Sequence, residues 1–558
     1  MLMSISPPPP RATSRSTHEV LNQPPPLEGH NAFECNRPLV EALDREGGGW
    51  ARDRVAALGA ATADPQVLAW ARECEQSPPR LRTHDRYGHR IDEVEFHPAW
   101  HELLGLSVAR EVHALGWRDP RPGAQVARAA LMMLVPEPGV ACPISMTHAI
   151  VPVLRAHREL GDEWLPGLTS SVYDHRVRPA AEKRGLLAGM AMTEKQGGSD
   201  VRANATTAQP LDGGGPGAEY ELTGHKWFCS APMCDVFLVL AQADGGLSCF
   251  LVPRWTAAGE RNRFHLQRLK DKLGNRSNAS AEIELDGARA RLVGEEGRGV
   301  ATIIDMVNHT RLDCVLASAG GMRAAVEQAT WHAAHRMAFG RLLIDQPLMR
   351  VVLADLALES EAATASAMRL ARAFDNPDAD PREELFKRLG TGVCKYWVCK
   401  RAPALAGEAL ECLGGNGYVE ESGMPRLYRE MPLNSIWEGS GNVQCLDVLR
   451  ALARSPSALD AFFGEIELAE GADRRLDRFT AQVRAQLADT EGLERRARRI
   501  VERLALALQA SLLVRHSPPA VADAFCASRL DGEGGLAFGT LPPGADVDTI
   551  IARHRAPA

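Results

Sequence analysis

From Arg37 to about Arg184 apolar residues recur every three or four positions, as in LVEALDREGGGWARDRVAALG and PAWHELLGLSVAREVHAL. That spacing gives each helix one apolar stripe and predicts an α-helical domain over residues 37–188. From Gly189 to about Arg298 the pattern changes to alternating or β-branched runs, CDVFLVLAQA, LSCFLVPRW and AEIELDGARARLV. Turn-rich stretches such as LDGGGPGAEY separate them, so residues 189–299 are expected to form an antiparallel β-domain. Helical spacing returns over residues 300–450, in TRLDCVLASAGGMRAAVEQATWHAAHRM and LADLALESEAATASAMRLARAF, which predicts a second, four-helix-type bundle. Residues 451–558 open at ARSPSALD and predict a further, mostly helical domain with one long Arg-rich helix. Residues 1–36, broken by the proline run 7–10, are expected to be disordered or extended. The expected fold is mainly α with a central antiparallel β-domain.

At 558 residues and 45% apolar content the chain is long enough for several cores. A net charge of −7 announces no nucleic-acid or membrane partner in bulk, so any DNA contact needs a local patch. Twelve cysteines are scattered without a CxxC pair or a Cys/His ligand spacing, which points to reduced thiols in a cytoplasmic compartment and to no metal site. The N-terminus lacks a signal-peptide core, and apolar stretches such as RLALALQASLLV are too short to cross a bilayer, so no membrane role is expected.

Candidate chemistry concentrates in GGNGYVEESGMPRLYREMPLNSIWEGSGN, residues 414–442. Gly414, Gly415 and Gly417 remove Cβ atoms from a turn, which lets backbone N–H groups approach an anion closely; the same glycines also read as a plain helix C-cap. Glu438, between Trp437 and Gly439, is a candidate base. In order and spacing the block resembles the C-terminal signature of the acyl-CoA dehydrogenase family. There a Gly-Gly-x-Gly-[FY] turn, an Arg-[DE] pair and an aromatic-Glu-Gly-[ST] element follow one another, as Gly414 to Tyr418, Arg429-Glu430 and Trp437 to Ser440 do here.

Three further segments carry that resemblance. AMTEKQGGSDV resembles the family's flavin-facing T-E-x-x-x-G-S-D element, which implies cofactor contacts from Met192, Thr193, Gly198 and Ser199, with Ser199 also near substrate. TGHKWFCSAP resembles the strand that lays an aromatic and a hydroxyl against the flavin ring, here Phe228 and Ser230. HRMAFGRLLIDQP resembles R-x-x-F-G, which implies that Arg336 and Phe339 meet the flavin pyrophosphate of a neighbouring subunit; a guanidinium fork suits a diphosphate. Gly414, Gly415, Trp437, Ser440 and Asn442 complete the implied FAD contacts. The chain departs from the pattern at Pro347 and Glu411, where Gln is common, and at Trp437, where Tyr is more frequent.

The resemblance implies α,β-dehydrogenation of an acyl thioester, with Glu438 as the α-proton base and Arg311 and Trp437 on the substrate side. Some branches carry the base just before that Arg, but here the position is Thr310, so no rival carboxylate stands there. LRTHDRYGHRIDEVEFHPAWH, LKDKLGNRSNAS and LYREMPLNSIWEGSGN with LDVLR resemble most densely the AidB-type branch, flavoproteins of the bacterial adaptive response to DNA alkylation. That likeness implies FAD, a homotetramer, an electron-transfer flavoprotein as possible acceptor, and duplex DNA binding by the C-terminal domain. Residues 451–558 carry a net charge of −1, and their one basic locus is Arg495, Arg496, Arg498, Arg499 and Arg503. Helical spacing would pair Glu491 with Arg495 and Glu494 with Arg498, as on a solvated helix. Two functions stay open: an acyl-CoA dehydrogenase, or a DNA-binding protective flavoprotein with little thioester turnover.

Overall fold

A computed structural model of the chain describes residues 17–375 and 380–555. Of the segment 1–36 expected to be disordered or extended, residues 1–16 lie outside the described residues. From Thr17 onward the segment is extended and docked: the Trp331 indole Nε1 donates to the Pro25 carbonyl at 2.8 Å, and Asn22 exchanges two hydrogen bonds with the Met337 backbone.

The N-terminal domain is helical with one interruption that the sequence reading missed. Strands β1 (Arg80–His84) and β2 (Arg90–Glu95) pair antiparallel around a turn whose Asp85 carboxylate accepts from the Tyr87 and His89 N–H groups. LRTHDRYGHRIDEVEF was read as part of a helical region, but the Asp85 to Gly88 turn breaks it and the two flanks pair. Helix α1 (Pro138–Ala156) is long and apolar enough to cross a membrane, contrary to the reading that all apolar stretches are too short; 78% of its apolar window is buried inside the fold, as in a core helix.

Seven strands follow: β3 (Ala188–Ala191), β4 (Thr207–Pro210), β5 (Glu219–Ser230), β6 (Val236–Ala243), β7 (Gly246–Pro253), β8 (Phe264–Leu269) and β9 (Ser280–Val293). They form a sheet in the order β3-β6-β4-β5-β9-β7, with β8 on β9, and β7 pairs back onto β6 to close a small barrel. Most pairings are antiparallel, but β3 and β4 both meet β6 in parallel, so the domain is mixed rather than purely antiparallel. The β5–β9 register breaks between Lys226 and Cys229, and that irregularity carries Trp227 and Phe228. Phe228 is left 48% exposed.

The second bundle comprises α2 (Gly299–His335), α3 (Pro347–Ala373), α4 (Pro381–Cys412) and α5 (Gly441–Arg454). A buried ion pair, Arg128 with Asp313, ties it to the first helical domain. Beyond residue 454 come helix Pro456–Glu467, helix Arg474–Ala488, α6 (Ala497–His516) and helix Val547–His554. Buried charges rivet this extension to α3: Glu465 accepts from Arg369 and Arg515, and Glu361 accepts from Arg553 and His554 at about 3 Å. The Glu361 carboxyl is held down to about 2: burial would raise it, and the His554 and Arg553 contacts outweigh that.

A carboxylate with a depressed pKa contributes stability above its unfolded value and loses it as pH falls through the folded one. The Glu361 contribution is therefore complete above about pH 5 and disappears toward about pH 2. Glu361→Ala takes the acceptor from buried His554, which burial holds below its ordinary pKa and so mainly neutral at pH 7, and leaves Arg553 only its Glu41 partner. It should lower unfolding stability by about 1–3 kcal/mol in denaturant titration at pH 7. A loss below about 0.5 kcal/mol would mean that the Glu361 cluster does not hold the extension.

Candidate active site

A cavity of about 1090 Å³ opens between the barrel and the second bundle. Glu438 lines it, half-buried, on the loop that runs into α5. The local chain is strained, because Glu438 holds φ at +57°, a left-handed value that costs a non-glycine residue about 1–2 kcal/mol. Three side chains hold it there. The Lys395 ammonium, buried on α4, donates to the Trp437 and Gly439 carbonyls, each at 2.7 Å. Arg311 Nε and Gln444 Nε2 both donate to the Glu438 carbonyl at 3.0 Å, and Gln444 also reaches the Gly439 carbonyl. With its carbonyl thus turned away, the Glu438 N–H has no intramolecular acceptor among the described residues.

The carboxylate itself receives one hydrogen bond, from Thr310 Oγ1 to Oε2 at 2.8 Å. Burial raises its pKa above the ordinary glutamate range, against the Thr310 bond and the positive charges of Lys395 and Arg311. A desolvated carboxylate with one donor is a stronger base than a solvated one, which suits proton abstraction from carbon. Arg311, expected beside substrate, does line the cavity, but its guanidinium is committed to the Glu438 carbonyl and to Asp447.

The opposite wall brings together Met192, Thr193, Gly198, Ser199, Phe228 and Ser230. A Cβ on Gly198 would sit 2.3 Å from Thr193 Oγ1, so glycine is required for this turn to close. Beneath it Lys226 and Glu194 form a fully buried pair at 2.6 Å, and Glu194 also accepts from Ala205 N and Thr206 Oγ1. The loop is therefore fixed from inside the barrel. The exposed face of Phe228, the hydroxyls of Thr193, Ser199 and Ser230, and the cavity's size fit a planar cofactor with polar edges. Trp437 and Ser440 line the cavity as well, and the Trp437 indole is held by Asn434 Oδ1 at 2.9 Å.

Arg336, Phe339, Gly414, Gly415 and Asn442 do not line this cavity. Arg336 donates to the Asn22 carbonyl, and Phe339 stands 99% exposed with φ +51°. Gly414, at φ +59°, follows the end of α4, which is the helix-stop role. Asn442 Oδ1 accepts from Arg498 Nε at 2.8 Å.

The five arginines do not form one free patch. Arg496 is bonded to the carbonyls of Gln486, Asp489 and Glu491, Arg503 to Gln482 and over the Phe479 ring, and Arg498 to Asn442. The expected pairs Glu491–Arg495 and Glu494–Arg498 do not occur among the described residues, because the helix proper begins only at Ala497 and residues 491–494 are off its register. Arg495 and Arg499 remain exposed with no hydrogen-bond or ion-pair partner among the described residues.

Sequence reasoning missed Lys395, Gln444 and the Glu194–Lys226 pair. The available signal was Lys395 itself, one of eight lysines, inside the apolar run GTGVCKYWVC. It also passed over Glu430 as a carboxylate of the cavity: buried and bonded by Asn275 N and Nδ2, its pKa is pushed up to about 7 by burial.

The match to known proteins spans nearly the whole chain. Residues 22–175 match the adaptive response protein AidB N-terminal domain, 189–288 the acyl-CoA dehydrogenase middle domain, and 297–453 the acyl-CoA dehydrogenase C-terminal domain. The chain belongs to the acyl-CoA dehydrogenase family, in agreement with the motifs of residues 414–442. Within the family it is of the AidB type: it is 46% identical to AidB of Escherichia coli (strain K12) over 524 residues, 93% of this chain and 96% of that one. Caenorhabditis elegans ACDH-11, solved in complex with C11-CoA, has a TM-score of 0.83 at 28% identity, over 93% of this chain and 95% of that one. A Bacillus anthracis acyl-CoA dehydrogenase complexed with FAD shares the fold, with a TM-score of 0.62 at 20% identity over 78% of this chain and 80% of that one.

The Thr310 hydroxyl stabilises the ionised form of Glu438, so its removal must raise the pKa further. In Thr310→Val the Glu438 carboxyl band, assigned by its loss in Glu438→Gln, should titrate about one pH unit higher in infrared difference spectra. A titration unchanged by Thr310→Val would show that this bond does not tune the base.

Proposed function

We propose that the protein binds FAD in the cavity and dehydrogenates an acyl-CoA thioester between Cα and Cβ, with Glu438 as the base. The observation that carries this reading is a desolvated carboxylate on a pinned loop, across one cavity from the Thr193, Phe228 and Ser230 wall. FAD, when bound, supplies the acceptor for the β-hydride. Thr193, Ser199, Phe228 and Ser230 would hold it, Phe228 by its exposed ring and the others by hydrogen bonds. Glu438 takes the α-proton on its carboxylate, and the C–H electron pair becomes the new double bond as the hydride departs. The Glu438 N–H, left without an internal acceptor, would bond the thioester oxygen and stabilise the charge that develops there. The Trp437 indole, held by Asn434, lines the same cavity.

Arg336, Phe339, Gly414 and Gly415 lie outside the cavity, which suits a role toward the cofactor of a neighbouring subunit in a homotetramer. Electrons would then leave to an electron-transfer flavoprotein. A duplex-DNA role is supported only by Arg495 and Arg499, and would appear as salt-sensitive binding that weakens in the Arg495→Ala, Arg499→Ala double variant.

The experiment is anaerobic reduction of the FAD-loaded protein by a panel of acyl-CoAs, followed by loss of flavin absorbance. At least one thioester should bleach the wild type, and Glu438→Gln should slow bleaching by about a thousandfold or more while keeping its FAD spectrum. No bleaching by any chain length, or undiminished bleaching in Glu438→Gln, would reject the reading.

A further inference from the structure

A second, smaller cavity of about 70 Å³ lies in the seam between the β1–β2 hairpin, helix Pro98–Ala109 and the barrel, and it shares no lining residue with the large one. Its wall is crowded with charge, most of it matched in pairs. Asp235 accepts from Lys183 and Asp174 from Arg176, each at 2.6 Å, and Glu93 accepts from Arg261. Arg254 is the cation left over. Its guanidinium donates only to the backbone carbonyls of Pro232 and Asp92, and its Nε has no partner among the described residues. Burial pushes its pKa down, and the charges of Asp92 and Asp235 do not offset that. A desolvated guanidinium without a carboxylate partner is costly, so the cavity favours an anion.

Two more wall groups lack partners. The Asp92 carboxylate accepts from Arg90 and lies 3.4 Å from His265, both through Oδ2, while its buried Oδ1 has no partner among the described residues. His101 Nδ1 is bonded to the Tyr173 hydroxyl at 2.7 Å, and its Nε2 is likewise free. Burial and His175 hold the His101 pKa down to about 4, so the ring is neutral at pH 7; with the phenol proton on Nδ1, its own hydrogen sits on Nε2. The wall thus offers two donors, and one carboxylate oxygen that can only accept. At about 70 Å³ the cavity is far below the roughly 300 Å³ at which organic-ligand pockets begin, so it takes a small ion or the end group of a larger molecule. We propose that it is a phosphate site, in which Arg254 and His101 donate to a singly protonated phosphate group whose O–H donates to Asp92 Oδ1. Sulfate or a carboxylate has no proton to give at pH 7 and sets bare oxygen against Asp92. A phosphate group, with its second pKa near about 6, keeps or regains one there. His175 and Arg178 stand exposed on the same wall, where the rest of a phosphate ester would leave the cavity. The site is independent of Glu438.

The test is calorimetric titration of inorganic phosphate, glycerol 3-phosphate and sulfate, at pH 7, into the full-length, FAD-loaded protein and into Arg254→Met and Asp92→Asn. Phosphate should bind the wild type with a Kd below about 1 mM, and sulfate about tenfold or more weakly. Arg254→Met should weaken phosphate by on the order of thirtyfold. Asp92→Asn keeps the residue's left-handed φ of +46°, which Asn tolerates, and puts a possible donor where only an acceptor stood. In that variant sulfate should bind as tightly as phosphate. Retained flavin absorbance shows that each variant is folded, and Asp92→Asn decides the matter if Arg254→Met is not. Glycerol 3-phosphate binding more tightly than inorganic phosphate assigns the site to the end of an ester, and equal or weaker binding assigns it to the free ion. No phosphate binding up to about 10 mM overturns the site. So does equal affinity for phosphate and sulfate in the wild type, or phosphate affinity undiminished in folded Arg254→Met.

Discussion

Three consecutive carbonyls, those of Trp437, Glu438 and Gly439, each accept from a side chain that reaches in from α4, α2 or α5. That arrangement is what the site depends on. It overcomes the left-handed strain at Glu438, which lines the cavity, and leaves its N–H without an internal acceptor among the described residues. The Lys395 ammonium is the central donor, because one charged group bonds the carbonyls on both sides of Glu438. Hydrogen bonds from a charged donor are stronger than neutral ones, and a buried ammonium without those carbonyls would be costly. The loop and the lysine therefore stabilise each other.

The other buried carboxylates of the cavity wall set Glu438 apart. Asp313 is paired with Arg128 and Glu327 with Arg323. Glu430 is occupied on both oxygens by Asn275, whose backbone is itself left-handed, so it acts as a clasp on that turn. Glu438 has only a hydroxyl partner, while the nearby positive charges are spent on backbone. Burial thus raises its basicity instead of being cancelled by an ion pair.

The parts of this site that were legible from sequence are those encoded in short, contiguous runs. TEKQGGSD, KWFCS and IWEGSGN each put glycine, aromatic and hydroxyl groups at fixed small offsets, and the fold brings Thr193, Phe228, Ser230 and Glu438 to one cavity. The helix-strand-helix order was legible for the same local reason, since periodicity changes at about residues 189 and 300. What was not legible acts at a distance. Lys395 lies 42 residues from Trp437, and nothing in GTGVCKYWVC says which backbone it will meet. Glu194 and Lys226 are 32 apart, and the parallel joins of β3 and β4 to β6 depend on barrel closure. The arginines of residues 495–503 looked like one patch because sequence shows charge but not the carbonyls that absorb it.

On the proposed function, Lys395, which does not line the cavity, positions Glu438 by holding the carbonyls on either side of it. The most direct measurement is single-turnover flavin reduction in Lys395→Met at saturating acyl-CoA, with thioester affinity measured alongside. The rate constant should fall by about a hundredfold with affinity changed less than about threefold, because Glu438 is mispositioned while the cavity walls remain. A rate constant equal to the wild type's, in a variant that still folds and holds FAD, would contradict it.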